Sequence, residues 1–202
     1  RPPPPSSAVA GDVAIPALIL AERDRQRGVM ADDQLGTLAS AARTVVANLS
    51  DDIEPADDTG DDEAPATSAK SLLCVGGRSA IDDVSATMLA HALAADGHRA
   101  TAVARTSLGA ARAERASDVD AIAVCLLNAA SIRSGRFLIR RLKRQWPQAR
   151  VGLVIWRDPD SPEPAAGPGP MPEADFVVRS IAEAAAAVAG APDGASRSRA
   201  SA

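Results

Sequence analysis

Apolar residues in this chain fall into two patterns that take turns. Residues 71–75, 121–127 and 151–156 are almost continuously apolar over the length of a strand, and between them lie amphipathic segments with helical spacing. Strands buried on both faces read as unbroken apolar runs, and parallel strands need helices as crossovers, so this alternation predicts an α/β domain. Predicted strands cover 71–75, 100–104, 119–127, 150–156 and 174–178. A helix opens at Ser79, where Ser79-Ala80-Ile81-Asp82 fits a capping box, and buries Val84, Met88, Leu89, Ala92 and Leu93 before Gly97 closes it. Further helices are expected over 107–115, over 132–146 ahead of Pro147, and over 181–188. With right-handed crossovers the simplest arrangement is a flavodoxin-like five-stranded parallel sheet in the order 2-1-3-4-5.

Two helices are predicted before this domain. The first covers 13–27 and carries Val13, Ala17, Leu18 and Ala21 on one side. The second covers 32–48, with Leu35, Leu38, Ala42, Val45 and Leu49 at helical spacing. Their short connection makes them a hairpin with too little apolar surface for a core of its own. The expected organisation is a Pro-rich leader over 1–12, the hairpin over 13–50, an acidic disordered linker over 51–69, the α/β domain over 70–189 and a low-complexity tail over 190–202. Residues 158–173 hold six prolines and are expected to form a long loop.

Charge sharpens this division. Of 26 acidic residues, eight lie in the thirteen positions from Asp51 to Glu63 with no base among them. Without them 18 acids face 22 bases, so the net charge of −4 conceals a remainder of about +4. There is no Tyr, and only two Phe and two Trp, which leaves Leu, Ile, Val and Ala to build the core. Cys74 and Cys125 each fall inside a predicted strand, as structural thiols in a reducing compartment do. No apolar run approaches the roughly 20 residues that span a bilayer. The chain begins with Arg rather than Met and is expected to be a piece of a longer one.

In a sheet of this order, ligands bind beyond the carboxyl ends of strands one and three. That places Gly76, Gly77, Arg78, Ser79, Asp82 and Asp83 on one side of a candidate ligand site, with Asn128 and Ser131 opposite. Two glycines allow a phosphate or a neighbouring backbone to come close, and a helix N-terminus favours an anion. The competing explanation is a tight turn whose acids complement the helix dipole. No glycine-rich nucleotide fingerprint is present. A phosphoacceptor is not expected either, because strand three ends in Leu127-Asn128 rather than in a carboxylate. His91 and His98 have no partners at metal-ligand spacing. On the helix over 132–146, Arg133, Arg136, Arg140 and Arg144 share one face. A solvated helix face accounts for that stripe. The sharper alternatives are docking of the acidic segment or of an anionic membrane surface; nucleic acid fits poorly without interleaved aromatics.

The α/β segment resembles the cobalamin-binding domain. That family carries Asp-x-His-x-x-Gly after strand one, whereas Gly76-Gly77-Arg78-Ser79-Ala80-Ile81-Asp82 has no His. After strand three it carries Ser-x-Leu, met here by Cys125-Leu126-Leu127, and after strand four Gly-Gly, met here by Ile155-Trp156. A cobalamin cofactor is therefore not expected. Three further pieces resemble, in order, the soluble C-terminal region of permeases of the autoinducer exporter-like family. They are Ile15-Pro16-Ala17-Leu18 with Ala21-Glu22-Arg23-Asp24-Arg25 and Gly28; Leu73-Cys74-Val75 with Asp82-Asp83 and Met88-Leu89; and Arg136 to Leu142 leading to Gly152-Leu153-Val154-Ile155-Trp156. This resemblance implies a non-catalytic regulatory domain, cytoplasmic and tethered to the inner membrane through the membrane portion of a parent permease. The alternatives are a stand-alone small-molecule or cofactor-binding sensor and, behind it, an enzyme using the Asp82/Asp83 loop.

Overall fold

The computed structural model describes residues 14–51, 71–115, 119–156 and 171–189. The leader, nearly all of the acidic linker, most of the proline-rich loop and the tail lie outside the described residues. The chain runs α1 (Ile15–Gln26), α2 (Asp32–Asp51), β1 (Ser71–Gly76), α3 (Ala80–Ala95), β2 (Arg99–Val103), a 3-10 turn (Arg105–Ser107), α4 (Leu108–Arg115), β3 (Ala121–Leu126), a second 3-10 turn (Ala129–Ser131), α5 (Ile132–Gln145), β4 (Arg150–Ile155), β5 (Val177–Val178) and α6 (Ile181–Ala189). All five strands are parallel, in the order β2-β1-β3-β4-β5. The flavodoxin-like sheet expected from the apolar runs is the one that forms.

Alternate residues of the strands feed two cores. Leu72, Cys74, Ala121, Ala123, Cys125 and Val154 face one side of the sheet, beneath α3 and α6. Leu73, Val75, Ile122, Val124, Leu126, Val151 and Leu153 face the other, beneath α5. Burying one Leu, Ile or Met side chain is worth roughly 1.5–3 kcal/mol. The stripe of Ile81, Val84, Met88, Leu89 and Leu93 therefore fixes α3 more firmly than intrinsic propensity could. At its C-terminus His98 N–H donates to Leu93 O (2.9 Å) and Gly97 N–H to Ala94 O (3.0 Å), a paired closure that needs the φ of +84° at Gly97.

The hairpin is a further layer of the first core and not a separate body. Ile15, Leu18, Ile19, Ala21, Leu35, Ala39 and Val46 are buried in the same cluster as α3, and α2 lies along α3. The face that cannot close on itself closes on the domain. Helix α2 continues to Asp51, with neither Gly nor Pro between Gly36 and Pro55 to end it sooner. Gly36 lies within α2 with nothing near its absent Cβ. Gly36→Ala is expected to raise stability by about 0.5–1 kcal/mol, read as a higher urea midpoint.

The fifth strand is shorter than its apolar run implies. Asp175 N–H donates to Val151 O (2.9 Å) while its carboxylate accepts from Val151 N–H (2.7 Å) and from Lys143 Nζ (2.6 Å). A side-chain oxygen thus takes the place of a backbone carbonyl, and regular pairing begins only at Val177.

Candidate functional site

The turn between β1 and α3 is built around Asp82, which is 4% exposed. Its Oδ2 accepts from the backbone N–H groups of Arg78 (3.0 Å) and Ser79 (2.9 Å), and its Oδ1 accepts from Leu127 N–H (3.0 Å) at the end of β3. Ser79 Oγ accepts from Asp82 N–H (3.3 Å), completing the capping box. Burial raises the Asp82 pKa against the opposing pull of these donors. The carboxylate joins the loop after β1 to the end of β3, and its hydrogen-bonding capacity is spent on the backbone.

The two glycines are likewise filled from within. A Cβ on Gly76 would lie 2.5 Å from Asp83 N and 2.7 Å from Asp83 Cα; one on Gly77 would meet the Leu126 side chain and lie 3.1 Å from Cys125 O. Gly77 N–H donates to that same Cys125 O (2.9 Å), extending the strand pairing. Arg78 is exposed and Ser131 buried. Asp83 is half-buried; burial and the Asp82 charge raise its pKa, while Arg105 and Arg43 act the other way.

Across the switch point, Asn128 Oδ1 accepts from Ala130 N–H (2.7 Å) and caps the second 3-10 turn. The Asn128 side chain also acts to lower the pKa of Glu22 of α1, a residue 4% exposed. Glu22 is gripped by Arg25 at 2.9 and 2.7 Å and by Gln26 at 3.1 Å. Burial works to raise its pKa, but these hydrogen bonds and the Arg25 charge outweigh it and the carboxyl ionises below its ordinary 4.5. Trp156, just past β4, is buried in the core cluster that includes α1. The sequence suggested none of these contacts, which bring α1 over the strand ends on the α3 side. A group with a depressed folded pKa stabilises above its unfolded pKa, and that contribution is lost as pH falls through the folded value. Glu22→Gln is therefore expected to cost about 1–2 kcal/mol near pH 7. The gap to the parent chain should narrow in urea titrations as pH falls below the ordinary 4.5.

The other side of the sheet is open. A cleft of about 440 Å³ lies beside the carboxyl end of β1, lined among others by Gly77, Arg105, Thr106, Arg133, Phe137 and Arg141. Of the predicted ligand residues only Gly77 reaches it. The predicted basic stripe divides. Arg136 and Arg140 lie 3.8 and 3.9 Å from Glu173, contacts worth under about 1 kcal/mol at such exposure, whereas Arg133 turns into the cleft and Arg144 lies outside it. Sequence reasoning missed Arg105, Phe137 and Arg141. The spacing Arg133, Phe137, Arg141 marks a second stripe on α5, but Arg105 comes from the turn after β2, and only the topology brings it there.

Cys74 and Cys125 are free and buried, and burial pushes both thiols well above the usual range, which leaves them unreactive. Among the described residues no group of three His, Cys, Asp or Glu could hold a metal ion. Comparison with known protein families, with curated proteins and with solved structures gives no match.

Proposed function

We propose that this chain is a non-catalytic accessory domain of a multi-pass permease, regulating or scaffolding it from the cytoplasmic face, with a cobalamin-binding-like fold whose cofactor seat is filled by its own side chains. The supporting observation is the engagement of the strand ends. Asp82 is held by three backbone donors, and buried Glu22 of α1 is influenced by Asn128 just past β3. Cobalamin fits these residues poorly: the loop after β1 offers no imidazole, and after β4, where the resembled family carries Gly-Gly, this chain has the buried indole of Trp156. No helix among the described residues is long and apolar enough to cross a membrane, so transport on this reading belongs to the membrane portion of the parent. An antibody against residues 70–189 should detect, in the membrane fraction of the source cells, a polypeptide much longer than 202 residues. Detection solely as a short chain in the soluble fraction would sink the proposal.

The arginine-lined cleft favours a second reading, a small-molecule sensor that needs no permease.

A further inference from the structure

We infer that the cleft between α5 and the turn after β2 is a binding site for a small phosphate monoester carrying a flat ring, with Arg105, Arg133 and Arg141 taking the anion and Phe137 the ring. This rests on the sensor reading and names its ligand class.

The charge of the cleft points to an anion. Three guanidinium groups from two separate elements line it, with Thr106 and Ser134 supplying hydroxyls and no carboxylate among the lining residues. Among the described residues Arg133 and Arg141 form no ion pair, in contrast to Arg136, Arg140 and Lys143, which lean toward Glu173 and Asp175 on the other side of the same helix. Asp83 lies near Arg105, whose charge acts to lower its pKa. Guanidinium forks match phosphate oxygens in pairs, so converging arginines suit a phosphate better than a single carboxylate.

The ring follows from Phe137, which is 66% exposed in a chain with only two Phe. It stands one helical turn from Arg133 and one from Arg141, so its face is available between the two cations. A flat ring laid on it would be stacked while its phosphate reached an arginine at either end. The volume, about 440 Å³, is of the size that holds a mononucleotide-sized molecule. Anionic lipid headgroups share the phosphate chemistry, and the same residues would meet them at a membrane surface. Concavity and the contribution of Arg105 from a second element favour a free small molecule.

Isothermal titration of the full chain with adenosine 5′-monophosphate tests this, with adenosine, pyrophosphate and phosphatidylglycerol vesicles as parallel titrants. One-to-one binding of the monophosphate is expected, with adenosine weaker by about tenfold or more. Arg133→Ala and Phe137→Ala should each weaken it by about tenfold, and Arg144→Ala, exposed on the same helix outside the cleft, should leave it unchanged. All three positions are exposed or line open space, so a urea midpoint close to that of the parent verifies folding. Absence of saturable monophosphate binding, an equal loss in Arg144→Ala, or binding to vesicles alone would overturn the inference. Pyrophosphate bound as tightly and indifferent to Phe137→Ala would also overturn it, while leaving an anion sensor standing.

Discussion

Asp82→Ala is expected to remove about 3–5 kcal/mol of folding stability, because it strands three backbone N–H groups whose unmet burial costs about 1–3 kcal/mol each. Arg78, Ser79 and Leu127 supply those groups, at 2.9–3.0 Å from the carboxylate. Domains of this size are stable by only about 5–15 kcal/mol, so much of the margin goes with one side chain. Asp82→Asn, which keeps one acceptor oxygen, should fall between. Urea unfolding at neutral pH reads both, and a loss below about 1 kcal/mol for the alanine variant would contradict the role given to Asp82. The pH dependence carries a sign as well. The folded pKa of Asp82 is raised by burial, so its contribution to stability falls as pH climbs from the ordinary 3.8 through the folded value. That limb should be missing in Asp82→Ala. The same carboxylate that looked like a candidate for chemistry is the knot joining β1, α3 and β3.

Gly76→Ala should cost about 3 kcal/mol or more. A Cβ there would sit 2.5 Å from Asp83 N and 2.7 Å from its Cα. Those atoms belong to the first turn of α3, which is anchored by Ile81 and Val84 beneath it, so the obstruction cannot rotate away as a side chain would. Overpacking against yielding side chains costs about 1–3 kcal/mol, and a rigid backbone neighbour puts this position at or above the top of that range. Thermal unfolding of Gly76→Ala beside Gly36→Ala gives opposite signs for the same chemical change. Equal effects at the two positions would mean that α3 does not press on the end of β1 as described.

The sheet was legible in the sequence because parallel strands buried on both faces leave unbroken apolar runs, and β1, β3 and β4 keep theirs. Helix ends were legible where chemistry punctuates them: Ser79 with Asp82 at one end of α3, Gly97 at the other, Pro147 after α5. The strand order followed from handedness and connection length. The site was less legible, for reasons of distance along the chain. Asp82 reaches Leu127 only once β1 and β3 have paired, and Glu22 comes near Asn128 only after the hairpin folds back over α3, and no local pattern encodes either. The α5 arginines were found as a stripe, but which of them pair depends on Glu173, brought alongside by the connection to β5. The acidic segment named as their docking partner lies, apart from Asp51, outside the described residues.

The most direct measurement is native mass spectrometry of the full chain with hydroxocobalamin in excess. The proposed reading, with Trp156 buried just past β4 and Glu22 buried near Asn128, predicts apo-protein with no cobalamin adduct. A stoichiometric, saturable adduct would contradict it and restore the strand ends as a cofactor site.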